Sequence, residues 1–107
     1  MAFYELRQYT VRPGQMETWL KIMQDEIIPF QVAKGMVICA SFRGEEDDSV
    51  YVWIRRFESE EHRKALYDAV YGSPEWKDGI SPRLADVLDR DAMIVTRLTP
   101  TQMSILQ

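Results

Sequence analysis

Two arginines stand side by side in the segment 51–57, YVWIRRF, and a third lies between a glutamate and a tyrosine in 4–9, YELRQY. A guanidinium is a planar fork of N–H donors that grips carboxylates by paired hydrogen bonds and cannot serve as a base at neutral pH. Near these arginines, Glu5, Tyr9 and Tyr51 are groups able to hold or move a proton, and Trp53 offers a flat apolar wall. The set Glu5, Arg7, Tyr9, Tyr51, Trp53 and Arg55 therefore suits two kinds of chemistry. One is recognition of a small anion with an aromatic or apolar body; the other is proton transfer while an arginine stabilises an enolate or carboxylate.

Other reactive types are sparse. The one histidine, His62, follows Glu60 and Glu61 at a helix start and reads as a surface residue. Cys39, the one cysteine, reads as a small packed hydrophobe. The run Glu45, Glu46, Asp47, Asp48 lacks the ordered ligand spacing and glycine of a calcium loop and reads as a solvated turn. With a single cysteine and a single histidine there is no zinc-type cluster, so neither metal nor cofactor is expected.

The elements that must position these residues follow from periodicity. Residues 2–11 alternate and end at Arg12-Pro13-Gly14, which predicts a first strand. Apolar side chains at Met16, Trp19, Leu20, Met23, Ile27 and Phe30 fall at helical spacing, so a helix is predicted over 15–33, loosened near Pro29 and stopped by Gly35. Trp19 and the methionines of this helix read as core or interface. Residues 36–43 and 50–57 read as a hairpin joined by the acidic turn. Ser59 caps a second helix through Leu66, Ala69 and Val70, and Ser73-Pro74-Glu75 starts a further one, interrupted near Gly79 or Pro82. Trp76 anchors that helix or rims a pocket. Residues 91–98 form the last strand. The order β-α-β-β-α-β is the ferredoxin-like arrangement of an α+β fold: a four-stranded antiparallel sheet with helices on one face.

Because strand neighbours point to opposite faces, the two adjacent arginines must divide between them. Gathering the apolar set places Ile38, Ala40, Phe42, Val50, Val52 and Ile54 against the helices. The other face then carries Glu5, Arg7, Tyr9, Arg43, Tyr51, Trp53, Arg55 and Arg97, too apolar for bare solvent and too polar for a dry core. Two such sheets packed face to face would form a closed dimer; alternatively, an arginine binds a carboxylate there while Trp53 and Tyr51 line the body of the ligand.

The chain has 107 residues, 46% hydrophobic and 28% charged, which predicts one domain over 1–107. Its net charge of −4 argues against a nucleic-acid partner, since phosphate contacts need a basic face. Without a basic leader or a stretch of about 20 apolar residues, a membrane partner is not expected. The lone cysteine suits a reducing cytoplasm.

The segments YELRQYTVRPG at 4–14, EIIPF at 26–30, YVWIRRFES at 51–59 and SPEW at 73–76 resemble, in order and spacing, the NIPSNAP family of the dimeric α+β barrel superfamily. The resemblance implies a homodimer whose sheets pair to enclose a barrel. It also implies either a small-molecule-binding protein or a cofactor-free enzyme, monooxygenase- or isomerase-like, acting on a small aromatic, polyketide-like or carboxylate substrate. The family's recurring positions fall here on Glu5, Leu6, Arg7, Tyr9, Trp53, Pro74 and Trp76.

Overall fold

Strand β1 (Phe3–Val11) turns at Gly14, whose φ of 75° favours glycine, and leads into the first helical run. The computed structural model describes residues 2–107. The helical run has three pieces: α1 (Met16–Ile22), a π-helical segment (Met23–Ile27) and α2 (Ile28–Ala33). The disturbance expected near Pro29 lies just ahead of it. Ile28 donates its N–H to the Met23 carbonyl, and the widened turn delivers Pro29 to the first turn of α2, where its missing donor costs no bond. Gly35, at φ 107°, then redirects the chain into β2 (Val37–Arg43).

Strand β3 (Val50–Phe57) is followed by α3 (Glu60–Tyr71). Ser59 caps α3 by accepting the His62 N–H at 3.1 Å, and His62 Nδ1 accepts the Glu58 N–H at 3.1 Å. The histidine is thereby occupied with closing the helix start. Ser73 repeats the device, accepting the Trp76 N–H at 3.3 Å ahead of a second π-helical segment (Glu75–Ile80) and the short α4 (Ser81–Leu84). Strand β4 (Leu88–Leu98) begins earlier than the sequence suggested.

The strands pair antiparallel in the order β2-β3-β1-β4, the ferredoxin-like order that the element sequence predicted. The assignment of the two faces is reversed. Tyr51, Trp53, Arg55 and Phe57 are 0%, 2%, 1% and 0% exposed beneath the helices, whereas Phe42 and Ile94 on the other face are 60% and 54% exposed. Counting apolar residues misled for two reasons. The helices present Trp19, Tyr67, Tyr71 and Gln31 downward: the last three pair with the Arg55 guanidinium, and Trp19 packs edge-to-face on Tyr51, burying larger aromatic area. In addition, β2 bulges at Cys39: Ile38 pairs with Arg55 but Ala40 with Ile54, so strict alternation along β2 fails. Cys39 is half-buried there, and burial pushes its thiol up.

Glu5, Arg7, Tyr9, Tyr51, Trp53 and Arg55 therefore do not form an outward-facing surface. The uncovered face carries Leu6, Gln8, Phe42, Val52, Ile54 and Ile94. The segment after Leu98 folds back over one corner of it, where Tyr4 Oη and Arg56 Nε donate to the Gln107 carbonyl at 3.0 and 2.8 Å. Arg43 and Arg97 sit at the margins. Arg43 bridges Glu17 and Asp48, and Arg97 stacks 3.8 Å over Phe3 while pairing with Glu60.

A Cβ added at Gly35 would lie 3.2 Å from Leu66 Cδ2, at a φ that L side chains avoid. Gly35→Ala is expected to lower unfolding free energy by about 1–3 kcal/mol in chemical denaturation. An unchanged midpoint would show that the helix-to-strand corner is not specified by this glycine.

Candidate functional site

The site begins with a cross-strand pair. The register of β1 and β3 sets Glu5 opposite Arg55, Arg7 opposite Trp53 and Tyr9 opposite Tyr51, all pointing at the helices. From above, α3 presents Arg63, Tyr67 and Tyr71 at four-residue intervals on one helical face. Between these layers the polar tips form a continuous network, in which Nε of Arg7 and of Arg55 have no hydrogen-bond partner. Tyr67 Oη accepts from Arg7 Nη2 and Arg55 Nη2, both at 2.9 Å, and donates to Glu5 Oε1. Arg55 Nη1 donates to Gln31 Oε1 and Tyr71 Oη, both at 2.9 Å, and Arg63 Nε donates to Glu5 Oε2 at 2.7 Å.

Arg55 and Glu5 are each 1% exposed, so burying them both depends on these partners. Burial pushes the Glu5 carboxyl up, but hydrogen bonds from Tyr67 and Arg63 and the charges of Arg63 and Arg55 outweigh it, and its pKa lies below the ordinary value. Burial also works against the Arg7 cation, and the surrounding oxygens of Tyr9, Tyr67 and Tyr71 more than offset it. The tyrosines go the other way. Burial raises Tyr9 and Tyr67, and Tyr51 is pushed up to about 12 despite its hydrogen bond with Ser41.

Beside the network, towards β4, lies a half-open cavity of about 200 Å³. All three tryptophans of the chain, Trp19, Trp53 and Trp76, line it, together with Arg7, Tyr9 and Tyr71. Both π-helical segments border it: Met23 and Ile27 come from the first and Trp76 from the second. The remaining wall is made where β4 departs from β1. Pairing jumps from Gln8↔Ile94 to Thr10↔Asp89, and the bulged stretch supplies Met93 to the wall and the exposed Arg90 to the rim. Irregular helix turns and bulges of this kind are found disproportionately at functional sites because they re-aim side chains into a space that regular elements would fill.

Of the six residues singled out in the sequence, Arg7, Tyr9 and Trp53 line the cavity. Glu5 and Arg55 lie behind it in the network, and Tyr51 is sealed in the core against Trp19 at 5.5 Å. Sequence reasoning missed Arg63, Tyr67, Tyr71, Gln31 and Arg90. The four-residue spacing of the first three was the available signal, since it puts two tyrosines and an arginine on the face that helix α3 buries. His62 and Cys39 do not line the cavity. Among the described residues, no cluster of three or more His, Cys, Asp or Glu side chains is placed to hold a metal ion, and no helix is long and apolar enough to cross a membrane.

The hydroxyl of Tyr9 is held as an acceptor on two sides, by Trp53 Nε1 at 3.0 Å and Arg7 Nη1 at 3.4 Å, which leaves its own proton for a further acceptor. The other contact of Arg7 Nη1 is to the Met93 sulfur at 3.5 Å, an ordinary length for a contact to sulfur, which is a weak acceptor. Arg7 and Tyr9 can donate side by side into an aromatic space, where Trp19 Nε1 is also unpartnered.

The family model described as NIPSNAP matches residues 4–104. Among solved structures, a NIPSNAP family protein from Agrobacterium tumefaciens strain C58 superposes with a TM-score of 0.87 at 23% identity, covering 100% of each chain. A second NIPSNAP family protein from that strain, of unknown function, gives 0.87 at 24% identity over 99% of this chain and 94% of its own. An uncharacterised NIPSNAP domain protein from Burkholderia xenovorans gives 0.82 at 20% identity over 95% and 97%. No curated protein matches the chain.

Because the folded Glu5 pKa is depressed, its ionic contribution is complete above the ordinary glutamate pKa of 4.5 and is lost as pH falls through the lower folded value. Urea denaturation across this acid range is expected to show a steeper loss of stability in the wild type than in Glu5→Gln, which should be less stable at neutral pH. Parallel acid limbs would place the acid sensitivity elsewhere.

Proposed function

The chain belongs to the NIPSNAP family, and from that premise we propose that it is a homodimeric small-molecule-binding protein whose ligand enters the cavity between the sheet and the helices. The observation that carries this reading is the cavity itself: three tryptophans around about 200 Å³, with an arginine at the wall whose cavity-side nitrogen meets only the Tyr9 hydroxyl and the Met93 sulfur. The half-buried, unpaired Cys39 is in keeping with a reducing cytoplasm.

A cofactor-free enzyme of the monooxygenase or isomerase kind would need a proton acceptor facing this space. Glu5 has both oxygens engaged and a lowered pKa, which suits a fixed structural anion. Tyr9 is raised by burial, so it donates rather than accepts at neutral pH. These states favour binding over catalysis.

Homodimerisation is supported by the uncovered sheet face, which leaves Phe42, Ile94 and Val37 at 60%, 54% and 46% exposure across its width. A second copy of the same face would shield them from water, in the pairing that the superfamily resemblance implied.

Two measurements test the reading. Mass spectrometry of the protein released from native purification is expected to detect a small molecule at near-stoichiometric level. Wild-type protein in which no added or retained small molecule perturbs tryptophan emission would remove the binding proposal. Sedimentation is expected to give a dimer for the wild type and a folded monomer for Phe42→Glu combined with Ile94→Glu; a monomeric wild type at tens of micromolar would remove the dimer.

A further inference from the structure

We infer that the cavity is built for a monoanionic carboxylate carrying one aromatic ring, an assignment that rests on the small-molecule-binding reading above. Charge sets the first limit. Arg63 is part-exposed and shares its charge between Glu5 and Glu60, which leaves Glu5 as the inner carboxylate between Arg7 and Arg55. Glu5 Oε1 is hydrogen-bonded by Tyr67 and Arg55, whereas Arg7 approaches no closer than 4.0 Å, through Nε. The interior thus holds one guanidinium whose charge lacks a hydrogen-bonded carboxylate. One negative charge from a ligand balances it; a phosphate ester, carrying nearly two, would exceed it.

Donor placement sets the second limit. At the inner end of the cavity Arg7 Nη1, in contact with the Tyr9 hydroxyl at 3.4 Å and the Met93 sulfur at 3.5 Å, and the Tyr9 hydroxyl proton have capacity to spare side by side; elsewhere on the lining Trp19 Nε1 is unpartnered and Tyr71 Oη only accepts. The adjacent Arg7 and Tyr9 donors suit the two oxygens of a carboxylate. At the rim Arg90 already donates to the Ser81 carbonyl and hydroxyl, so it attracts an anion through its charge while remaining committed to Ser81.

Size and shape set the third. About 200 Å³ is room for one ring with a short acid arm inside the walls, with the open side left to solvent. Trp19, Trp53 and Trp76 supply aromatic walls, and Trp76 stands edge-on to Tyr71 at 4.9 Å.

Because every tryptophan of the chain borders the cavity, intrinsic fluorescence reports occupancy directly. Wild-type protein is titrated with benzoate, benzamide, phenyl phosphate and benzyl alcohol, followed by tryptophan emission and calorimetry. Benzoate is expected to bind at least about tenfold more tightly than the other three. In Arg7→Met, with folding checked by thermal denaturation, benzoate should fall to the level of benzamide. Should that variant fail to fold, the wild-type series decides alone. Benzamide or benzyl alcohol equalling benzoate overturns the acid while leaving the cavity as a binding site, and phenyl phosphate binding more tightly overturns the monoanion. Silence from all four probes overturns this assignment, and the binding reading falls with it only when native mass spectrometry also finds no retained small molecule.

Discussion

The buried carboxylate of Glu5 is the constraint on which the rest of the structure depends. Two arginines on the helix-covered face of the sheet, Arg7 and Arg55, could not be taken out of water without a counter-charge and hydrogen-bond acceptors. Glu5 supplies a charge, and Tyr67, Tyr71 and Gln31 supply acceptors for the terminal nitrogens from the helices, while Nε of each arginine has no hydrogen-bond partner. Tyr67 is the hub, since its one hydroxyl accepts from both arginines and donates to the carboxylate. The network therefore fixes which face of α3 meets the sheet, in a way that apolar packing alone would specify less narrowly. A shift of α3 by one residue would carry Tyr67 and Arg63 away from Glu5 and leave buried charges without partners, a cost of several kcal/mol that few packing gains could offset.

The same constraint explains why a cavity persists beside a well-packed core. Arg55 is surrounded by aromatic rings, with its guanidinium carbon 4.6 Å from the Trp53 ring centre and 5.3 Å from that of Tyr67. This packing closes the interior towards β3. Towards β4 the sheet is irregular, and the two π-helical segments stand over the gap. Pro29 requires the first irregularity, and the interruption expected at Gly79 and Pro82 accompanies the second. Their shared position beside one cavity brings backbone departures that each have a local cause into a single region of the structure.

The element order was legible in the sequence because each boundary carries its own chemistry: Gly14 and Gly35 at positive φ, and serine caps at 59 and 73. The pairing of Glu5 with Arg55 was within reach of alternation, and the residues on their face were grouped correctly apart from the bulged strand β2. What alternation could not decide is which face the helices cover. Hydrophobic count pointed one way, whereas the helices' own polar-tipped aromatics decided the other, and the stripe read on α3 through Leu66, Ala69 and Val70 passed over Tyr67 and Tyr71. A bulge at Cys39 shifts the partners of Ile38 and Ala40, which no alternating pattern records. The cavity was less legible still, since it is made by the misregister of β4 against β1 and by widened helix turns.

Correcting the faces separates two roles that the sequence had laid on one surface. Arg55 of YVWIRRF belongs beneath the helices with Glu5, and Arg56 belongs to the uncovered face, where it meets Glu58 and the returning C-terminal segment. Recognition of an anion needs a desolvated guanidinium, and desolvation is what the helices provide at Arg7. Association of two copies needs apolar area open to water, and that is what the opposite face retains at Phe42 and Ile94. Side chains on the two faces of a strand share backbone but little direct contact. A ligand beneath the helices and a partner on the open sheet can therefore be accommodated together, with neither requiring the other to move aside.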